Sequence, residues 1–550
     1  GYSTSGIGDI DGDGIQDFAV PSSSANSTSG VISAGQVFII YGSQDPISSW
    51  FQKGTTKNDF KLSKILESKE LGRVVEGDVK DCQLGFSVSG TGDLNKDGYD
   101  DFIVGAPSCN SGQGKAIIVF GAPRNLAVTP LNVGELSIGI GTEISRVTKA
   151  VTKCSLGYSA SSGDWNSDGI SDVIIGAPDT NDGSGISFVL FGHNGTWPVQ
   201  INATDIGITM PLTSRIYGDQ PRTNSGTSDS NAGDLNDDGI DDIAIGARFS
   251  NPRGKLRAGT VYIVFGRKKW PDQVMLQDLN LPDGFSVDGS AADDLLGSSV
   301  CGKTDVNHDG IDDLIMGAGN ASPFGIKSAG MTVVLFGRKN WTRDSIDTTD
   351  NSFFNETNGF KIIGKNKSDG CGVSVSGNGD VNHDGIKDIV IGCRGGYDSQ
   401  KLYSGTTAVI FGQQGKWPET MDISEIDGNN GFSMHGSTAD EQGAITVKIA
   451  GDVNGDGIDD VLIGANMWNS FTGRVYLFFG SFFLPHCKVV EQESKKCTEC
   501  QEGFGKSQNP NGTCEDCDHF PGTWSSGKTP CISCKQGDCE KCTTKGICTK

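Results

Sequence analysis

The chain is poor in the groups on which most enzymes depend. Six histidines are scattered over 550 residues, and no G-x-S-x-G, H-E-x-x-H, P-loop or Rossmann phrase occurs among them. Acidic pairs are plentiful, but they lie inside repeated loops, so no independent carboxylate pair is left for glycoside hydrolysis. These absences point away from an enzyme. Positive charge is also scarce: 45 Lys and Arg face 68 Asp and Glu, for a formal charge of -23. A partner with a phosphate backbone needs a basic face, so nucleic acid is excluded as a ligand class. The longest apolar run, VYLFFGSFFL at 475–484, is about half the length that crosses a bilayer and is broken by Gly480. No signal peptide is visible, and the opening in mid-repeat leads us to expect a piece of a longer precursor. Aromatics make up 8% and Pro numbers 18, against 79 Gly. That balance describes a turn-rich β protein.

What is present is a repeat. The same nine-residue phrase occurs seven times: DIDGDGIQD from Asp9, DLNKDGYDD from Asp93, DWNSDGISD from Asp164, DLNDDGIDD from Asp234, DVNHDGIDD from Asp305, DVNHDGIKD from Asp380 and DVNGDGIDD from Asp452. The spacing is 70 to 84 residues, longest after the first copy, where 43–83 carry an insertion. A short strand of small residues precedes the phrase (LGFSVSG, LGYSASS, LGSSVCG, CGVSVSG), and an apolar strand ending in IGA or VGAP follows it. A third strand ends in Phe-Gly (KAIIVFG, ISFVLFG, TVYIVFG, TVVLFG, TAVIFG, VYLFFG), and a fourth (GFSVDG, GFKIIG, GFSMHG) closes copies four to six. Four short antiparallel strands per unit make a propeller blade, and their nearly continuous apolar runs suit strands buried on both faces. The expected fold is all-β: a seven-bladed propeller over 1–483, with blades near 1–82, 83–154, 155–221, 222–294, 295–369, 370–441 and 442–483. A small disulfide-rich domain follows at 484–550.

The nine-residue phrase carries the chemistry. In D-x-[DN]-x-D-G-x-x-D the side chains at positions 1, 3, 5 and 9 can converge while position 7 offers its backbone carbonyl, an all-oxygen set that suits Ca²⁺ and lacks the His and Cys of a zinc or iron site. The expected ligands are Asp9, Asp11, Asp13, Ile15 and Asp17; Asp93, Asn95, Asp97, Tyr99 and Asp101; Asp164, Asn166, Asp168, Ile170 and Asp172; Asp234, Asn236, Asp238, Ile240 and Asp242; Asp305, Asn307, Asp309, Ile311 and Asp313; Asp380, Asn382, Asp384, Ile386 and Asp388; Asp452, Asn454, Asp456, Ile458 and Asp460. Glycine at position 6 permits the sharp turn. An EF-hand would need a bidentate Glu at position 12 between helices; here position 12 is Val20, Val104, Ile175 or Ile245 in the first four copies, inside a strand. Up to seven calcium ions are expected, in a structural role. They would bring the formal charge to about -9. His308 and His383 occupy the variable fourth position and are given no role.

This wording resembles the FG-GAP repeat family and the N-terminal propeller of integrin α chains, over residues 1 to about 483. The Gly-Ala-Pro element stands intact at Gly105-Ala106-Pro107 and Gly176-Ala177-Pro178 and is altered at Gly392-Cys393-Arg394. The last blade is one strand short after VYLFFG. The resemblance implies that residues upstream of the first repeat cover this edge; the alternative is strand donation by a neighbouring molecule, giving a polymer.

Ten of the 16 cysteines fall in the last 64 residues, with four CxxC pairs: Cys497/Cys500, Cys514/Cys517, Cys531/Cys534 and Cys539/Cys542. This tail resembles the growth-factor-receptor type of cysteine-rich repeat, and disulfides are expected there, although tandem CxxC pairs also suit zinc. In the repeats, Cys371 and Cys393 flank the sixth loop, and Cys82 and Cys109 the second, so both pairs are expected to bridge, with buried thiols as the alternative. Sequons at Asn26, Asn194, Asn202, Asn320, Asn340, Asn355, Asn366 and Asn511 point to a glycosylating, extracellular compartment. Trp197, Trp270, Trp341 and Trp417 recur after the Phe-Gly ends, a position that favours packing between blades over carbohydrate stacking. The functional expectation is a secreted or cell-surface adhesion module binding a protein or glycan, with a self-associating filament or coat subunit as the rival reading and a non-catalytic part of a larger secreted enzyme as the third.

Overall fold

The computed structural model describes residues 3–44, 60–145, 153–396 and 403–481, together with short strands between 487 and 549. Seven sheets follow one another along the chain and close into a ring, an all-β seven-bladed propeller. The innermost strands are Ser5–Gly8, Ser87–Gly92, Ala160–Gly163, Ser225–Gly233, Ser299–Thr304, Cys371–Ser376 and Gly443–Gly451. Each is joined through a nine-residue loop to an antiparallel second strand that starts at or next to the last aspartate of the phrase, as in Asp313–Ala318. The third strand is the one that ends at Phe-Gly or Tyr-Gly, and it is largely apolar and buried at nearly every residue from blade one to blade six, as in Met331–Leu335. Strands on both sides of every loop rule out the helix-loop-helix alternative.

The sheets complete the sequence reading in one respect and go beyond it in another. The first three blades also possess fourth strands, Gly72–Glu76, Gly141–Ser145 and Thr213–Tyr217, although the GF phrase is missing from them. Blades one to five then gain a fifth strand, running parallel to the fourth and supplied by the following blade: Leu131–Asn132, Gln200–Asn202, Gln273–Met275, Ser345–Asp347 and Thr420–Asp422. Each of these five blades is thus clipped at its rim by its successor. Among the described residues blade six has four strands and blade seven three, Gly443–Gly451, Asp460–Ala465 and Arg474–Phe478.

The core is divided rather than single. Seven clusters of buried apolar side chains each lie between two consecutive sheets, and one joins Phe18, Val20 and Phe38 of the first blade to Ala450, Val453 and Leu462 of the last. A hydrophobic surface between every pair of blades makes the ring its own closure. The repeated glycines have a direct cause. A Cβ on Gly105, Gly176, Gly246, Gly317 or Gly392, the glycine of the Gly-Ala element or its Gly-Cys variant, would lie 1.9 to 2.2 Å from a backbone oxygen in or just before the next blade's inner strand. Only glycine lets the blades approach that closely.

The tryptophans pack between blades. Trp341 and Trp417 stack on Phe285 and Phe360 of the preceding blade at 4.2 and 4.3 Å, and Trp270 meets Phe191 at 5.8 Å. Trp197 lies 6.4 Å from Phe120 and stacks on His193 of its own blade. Cys82 is joined to Cys109 and Cys371 to Cys393, the latter directly opposite in register; Cys154 and Cys301 are buried. In the tail, four two-stranded ladders pair Cys487–Glu491 with Lys496–Cys500, Phe504–Lys506 with Cys514–Asp516, Thr523–Trp524 with Ile532–Ser533, and Lys541–Cys542 with Cys548–Thr549. The expected tail disulfides and Asn511 lie outside the described side chains. Of the other sequons, Asn26, Asn194 and Asn340 are exposed, while Asn202, Asn320, Asn355 and Asn366 are half-buried. Among the described residues no helix is long and apolar enough to cross a membrane.

Candidate metal centres: seven acidic loops

All seven loops share one backbone conformation. Position 6 is a glycine with φ between 79° and 93°, and position 4 is also left-handed, filled by Gly12, Lys96, Ser167, Asp237, His308, His383 and Gly455. The position-1 carboxylate is spanned by the N–H groups of positions 5 and 6: Asp309 and Gly310 donate to Asp305 at 3.0 and 2.9 Å, and the other six loops repeat this pair. The position-5 carboxylate accepts from the position-7 N–H at 2.9 to 3.0 Å, holding Ile15, Tyr99, Ile170, Ile240, Ile311, Ile386 and Ile458 in place. His308 and His383 are exposed.

Position 9 is the buried anchor. Asp17, Asp101, Asp172, Asp242, Asp313, Asp388 and Asp460 are each 0% exposed. One oxygen accepts from the position-2 N–H and the other from the glycine of the blade's own Phe-Gly or Tyr-Gly pair, as Val306 and Gly337 donate to Asp313 at 2.9 and 3.0 Å. Burial, opposed by these two hydrogen bonds, pushes the Asp17, Asp101, Asp172 and Asp388 carboxyls up to about 8 and Asp460 to about 7, and drives Asp242 and Asp313 well above the ordinary range. A buried carboxylate with negative neighbours is the environment that a cation relieves.

The loops also join blade to blade. The residue after each Phe-Gly or Tyr-Gly donates its N–H to the position-2 carbonyl of the preceding loop: Ala122 to Ile10, His193 to Leu94, Arg267 to Trp165, Arg338 to Leu235, Gln413 to Val306, Ser481 to Val381 and, closing the ring, Ser43 to Val453, all at 2.9 to 3.2 Å. Trp270 Nε1 reaches the same Trp165 carbonyl at 2.8 Å.

The donor set fits a hard divalent cation. Carboxylate oxygens of Asp9, Asp11 and Asp17 lie within 4.8 Å of one another. In the other six loops position 3 is asparagine, a neutral oxygen donor. In five of them its Oδ1 accepts from the position-5 N–H at 2.9 to 3.1 Å. In the fourth loop, Asn236 Oδ1 is buried without a hydrogen-bond partner, a lone pair that a bound cation would use. Two groups absent from the sequence reading also sit at the loops. Arg124 bridges Asp11 and Asp13 of the first loop, its guanidinium 4.7 Å over the Tyr41 ring, where it offsets the extra carboxylate that this loop carries in place of asparagine. The second is position 8, whose side chains point to the neighbouring blade. Neither was legible, because both partners come from another repeat.

Fold and loops together define a seven-bladed β-propeller with one acidic loop in each blade. Residues 84–119, 225–264 and 449–478 match the FG-GAP repeat family. The chain is 30% identical over 262 residues to integrin alpha-5 of Xenopus laevis, covering 47% of this chain and 21% of that one. It is 28% identical over 252 residues to integrin alpha pat-2 of Caenorhabditis elegans (44% and 18%), and 28% identical over 265 residues to integrin alpha-V of Gallus gallus (45% and 21%). The chain thus spans about a fifth of the length of these curated relatives. Three segments of the ring thus match FG-GAP repeats, and the matched part of the chain is similar to integrin alpha chains.

Proposed function

We propose that this chain is an extracellular calcium-binding propeller that serves as a non-enzymatic adhesion or ligand-binding module. The observation that carries the reading is the sevenfold recurrence of an oxygen-lined loop closed on a fully buried aspartate. Positions 1, 3, 5 and 9 would hold the ion with the position-7 carbonyl, up to seven ions in all. Bound calcium would neutralise the buried carboxylates and tie the hairpin to its neighbour, a stiffening rather than a catalytic role. A disc so stiffened presents its loops to a protein or glycan, and the likeness to integrin alpha chains, together with the sequons and cysteines, supports a secreted or cell-surface location.

Removal of calcium tests this directly, because a ligand bound only by the folded state stabilises it by mass action. The melting temperature is expected to fall by more than about 5 °C with EGTA and to recover with Ca²⁺. An unchanged melt, with no heat on calcium titration, would overturn the metal reading.

A second reading rests on one observation: the five residues Arg474–Phe478, third strand of blade seven, are all half-exposed where other blades bury theirs. Among the described residues no fourth strand pairs with its outer edge, and such an edge accepts another strand, so the chain would be the subunit of a glycosylated filament or coat, each blade seven completed by its neighbour. Mass measurement in calcium buffer decides: concentration-dependent oligomers support the filament, and monodisperse monomers exclude it.

A further inference from the structure

Position 8 of the phrase lies outside the ligand pattern, yet its side chain is where neighbouring loops meet. The backbone N–H of Asp9, the first residue of loop one, donates to Asp100 Oδ2 of the next blade at 2.9 Å. Asp234 donates in the same way to Asp312 at 3.0 Å, and Asp380 to Asp459 at 2.8 Å. The residue before position 1 is a glycine in each case, and a Cβ there would lie 2.2 Å from Asp100 Oδ2, 2.2 Å from Asp312 Oδ2 and 3.0 Å from Asp459 Oδ2.

The remaining four loops are built differently. Loop three faces Asp241, but the contact to the Asp164 N–H stretches to 3.4 Å because the same oxygen is held by Lys303 Nζ at 2.9 Å and Asn231 Nδ2 at 2.8 Å. Loop two is followed by Ser171 at this position, loop five by Lys387 and loop seven by Gln16. A hydroxyl, an ammonium and an amide replace the carboxylate.

We infer that Asp100, Asp312 and Asp459 are positioning residues that brace the first ligand of the preceding loop, so that loops one, four and six form a tighter class of calcium sites than loops two, three, five and seven. The inference rests on the calcium reading above. Two physical effects act in the same direction. A charge-assisted hydrogen bond fixes the backbone of the residue whose carboxylate would hold the ion, and the bracing carboxylate would add negative charge near a bound cation, partly offset at Asp459 by Lys387 Nζ at 3.9 Å. The device also explains why one variable position of the phrase tolerates Asp, Ser, Lys or Gln: its influence falls on the blade before it, not on its own loop.

The test uses the full chain and equilibrium dialysis of ⁴⁵Ca²⁺ over a range of free calcium. Replacing Asp100, Asp312 and Asp459 together by Asn is expected to move three ions to weaker binding by at least roughly tenfold, the usual effect of losing an outer-sphere partner. Ser171→Asp, which installs the brace opposite loop two, is expected to move one ion the other way. An isotherm for the triple variant that overlays the parent overturns the inference, and so does Ser171→Asp without a gain; should the triple variant fail to fold, the gain arm alone decides. Absence of calcium binding by the parent overturns the metal reading itself, whereas binding by the parent with unmoved variants overturns the brace only.

Discussion

Blade five and blade seven share a loop and differ at the rim. Asp313 and Asp460 are equally buried and accept the same two backbone N–H groups at 2.9 to 3.0 Å. Yet blade five has five strands and a fully buried third strand, whereas blade seven has three described strands and leaves Arg474–Phe478 half-exposed. The loop therefore depends on the inner hairpin and on the neighbouring blade, and not on the outer layer. The rim does a separate job, burying apolar surface and clipping one blade to the next.

Substitutions at matched positions can break that separation. The largest effect is expected at the glycine of Phe-Gly, where a Cβ on Gly337 would lie 2.2 Å from the Asp312 carbonyl oxygen and one on Gly480 2.3 Å from that of Asp459. Gly337→Ala and Gly480→Ala should each destabilise by about 4 kcal/mol, because the obstacle is backbone and cannot rotate away. Equal losses in calorimetry would show that the inner hairpin is the same machine in both blades; a harmless Gly480→Ala would break the comparison. In the third strand the two blades should part. Leu335→Ala, at a fully buried site, is expected to cost about 3 kcal/mol, and Leu477→Ala, partly exposed, about 1 kcal/mol by denaturant unfolding. Equal costs would mean that the seventh blade's edge is covered in solution.

Trp341, which stacks on Phe285 and donates Nε1 to the Leu235 carbonyl at 3.4 Å, has no counterpart after the Phe-Gly end of blade seven. Trp341→Phe should lose about 2 kcal/mol, most of it from the shrunken aromatic contact. The last effect is spread over pH and concerns Asp229, buried between blades three and four, whose oxygens accept from Ser159 at 2.9 Å and Ser187 at 3.0 Å. Burial, opposed by these bonds, pushes its carboxyl up to about 7. A group whose folded pKa is raised holds its proton in the native state and gives it up when unfolded, so its contribution is present at low pH and lost as pH rises from about 4 to about 7. In saturating calcium, the stability of Asp229→Asn relative to the parent should therefore rise over that window by up to roughly 1 kcal/mol per pH unit. A difference flat from pH 4 to 7 would show that Asp229 is ionised in place.

Much of this molecule can be read without coordinates. Seven copies of one phrase specify seven turns, because Asp and Asn hold their own backbone and Gly takes the left-handed conformation wherever they occur. The strand periodicity, the oxygen-only chemistry of the loops and the blade count follow from the same local rules. Other features depend on residues of different blades, far apart in the chain, and no local rule contains them. The fifth strands borrowed from the next blade, Arg124 across Asp11 and Asp13, and the bracing aspartates at position 8 exist only once the ring has brought those distant residues together. Sequence determines what each loop can hold; closure of the ring decides which loops are braced, since that contact belongs to two blades at once.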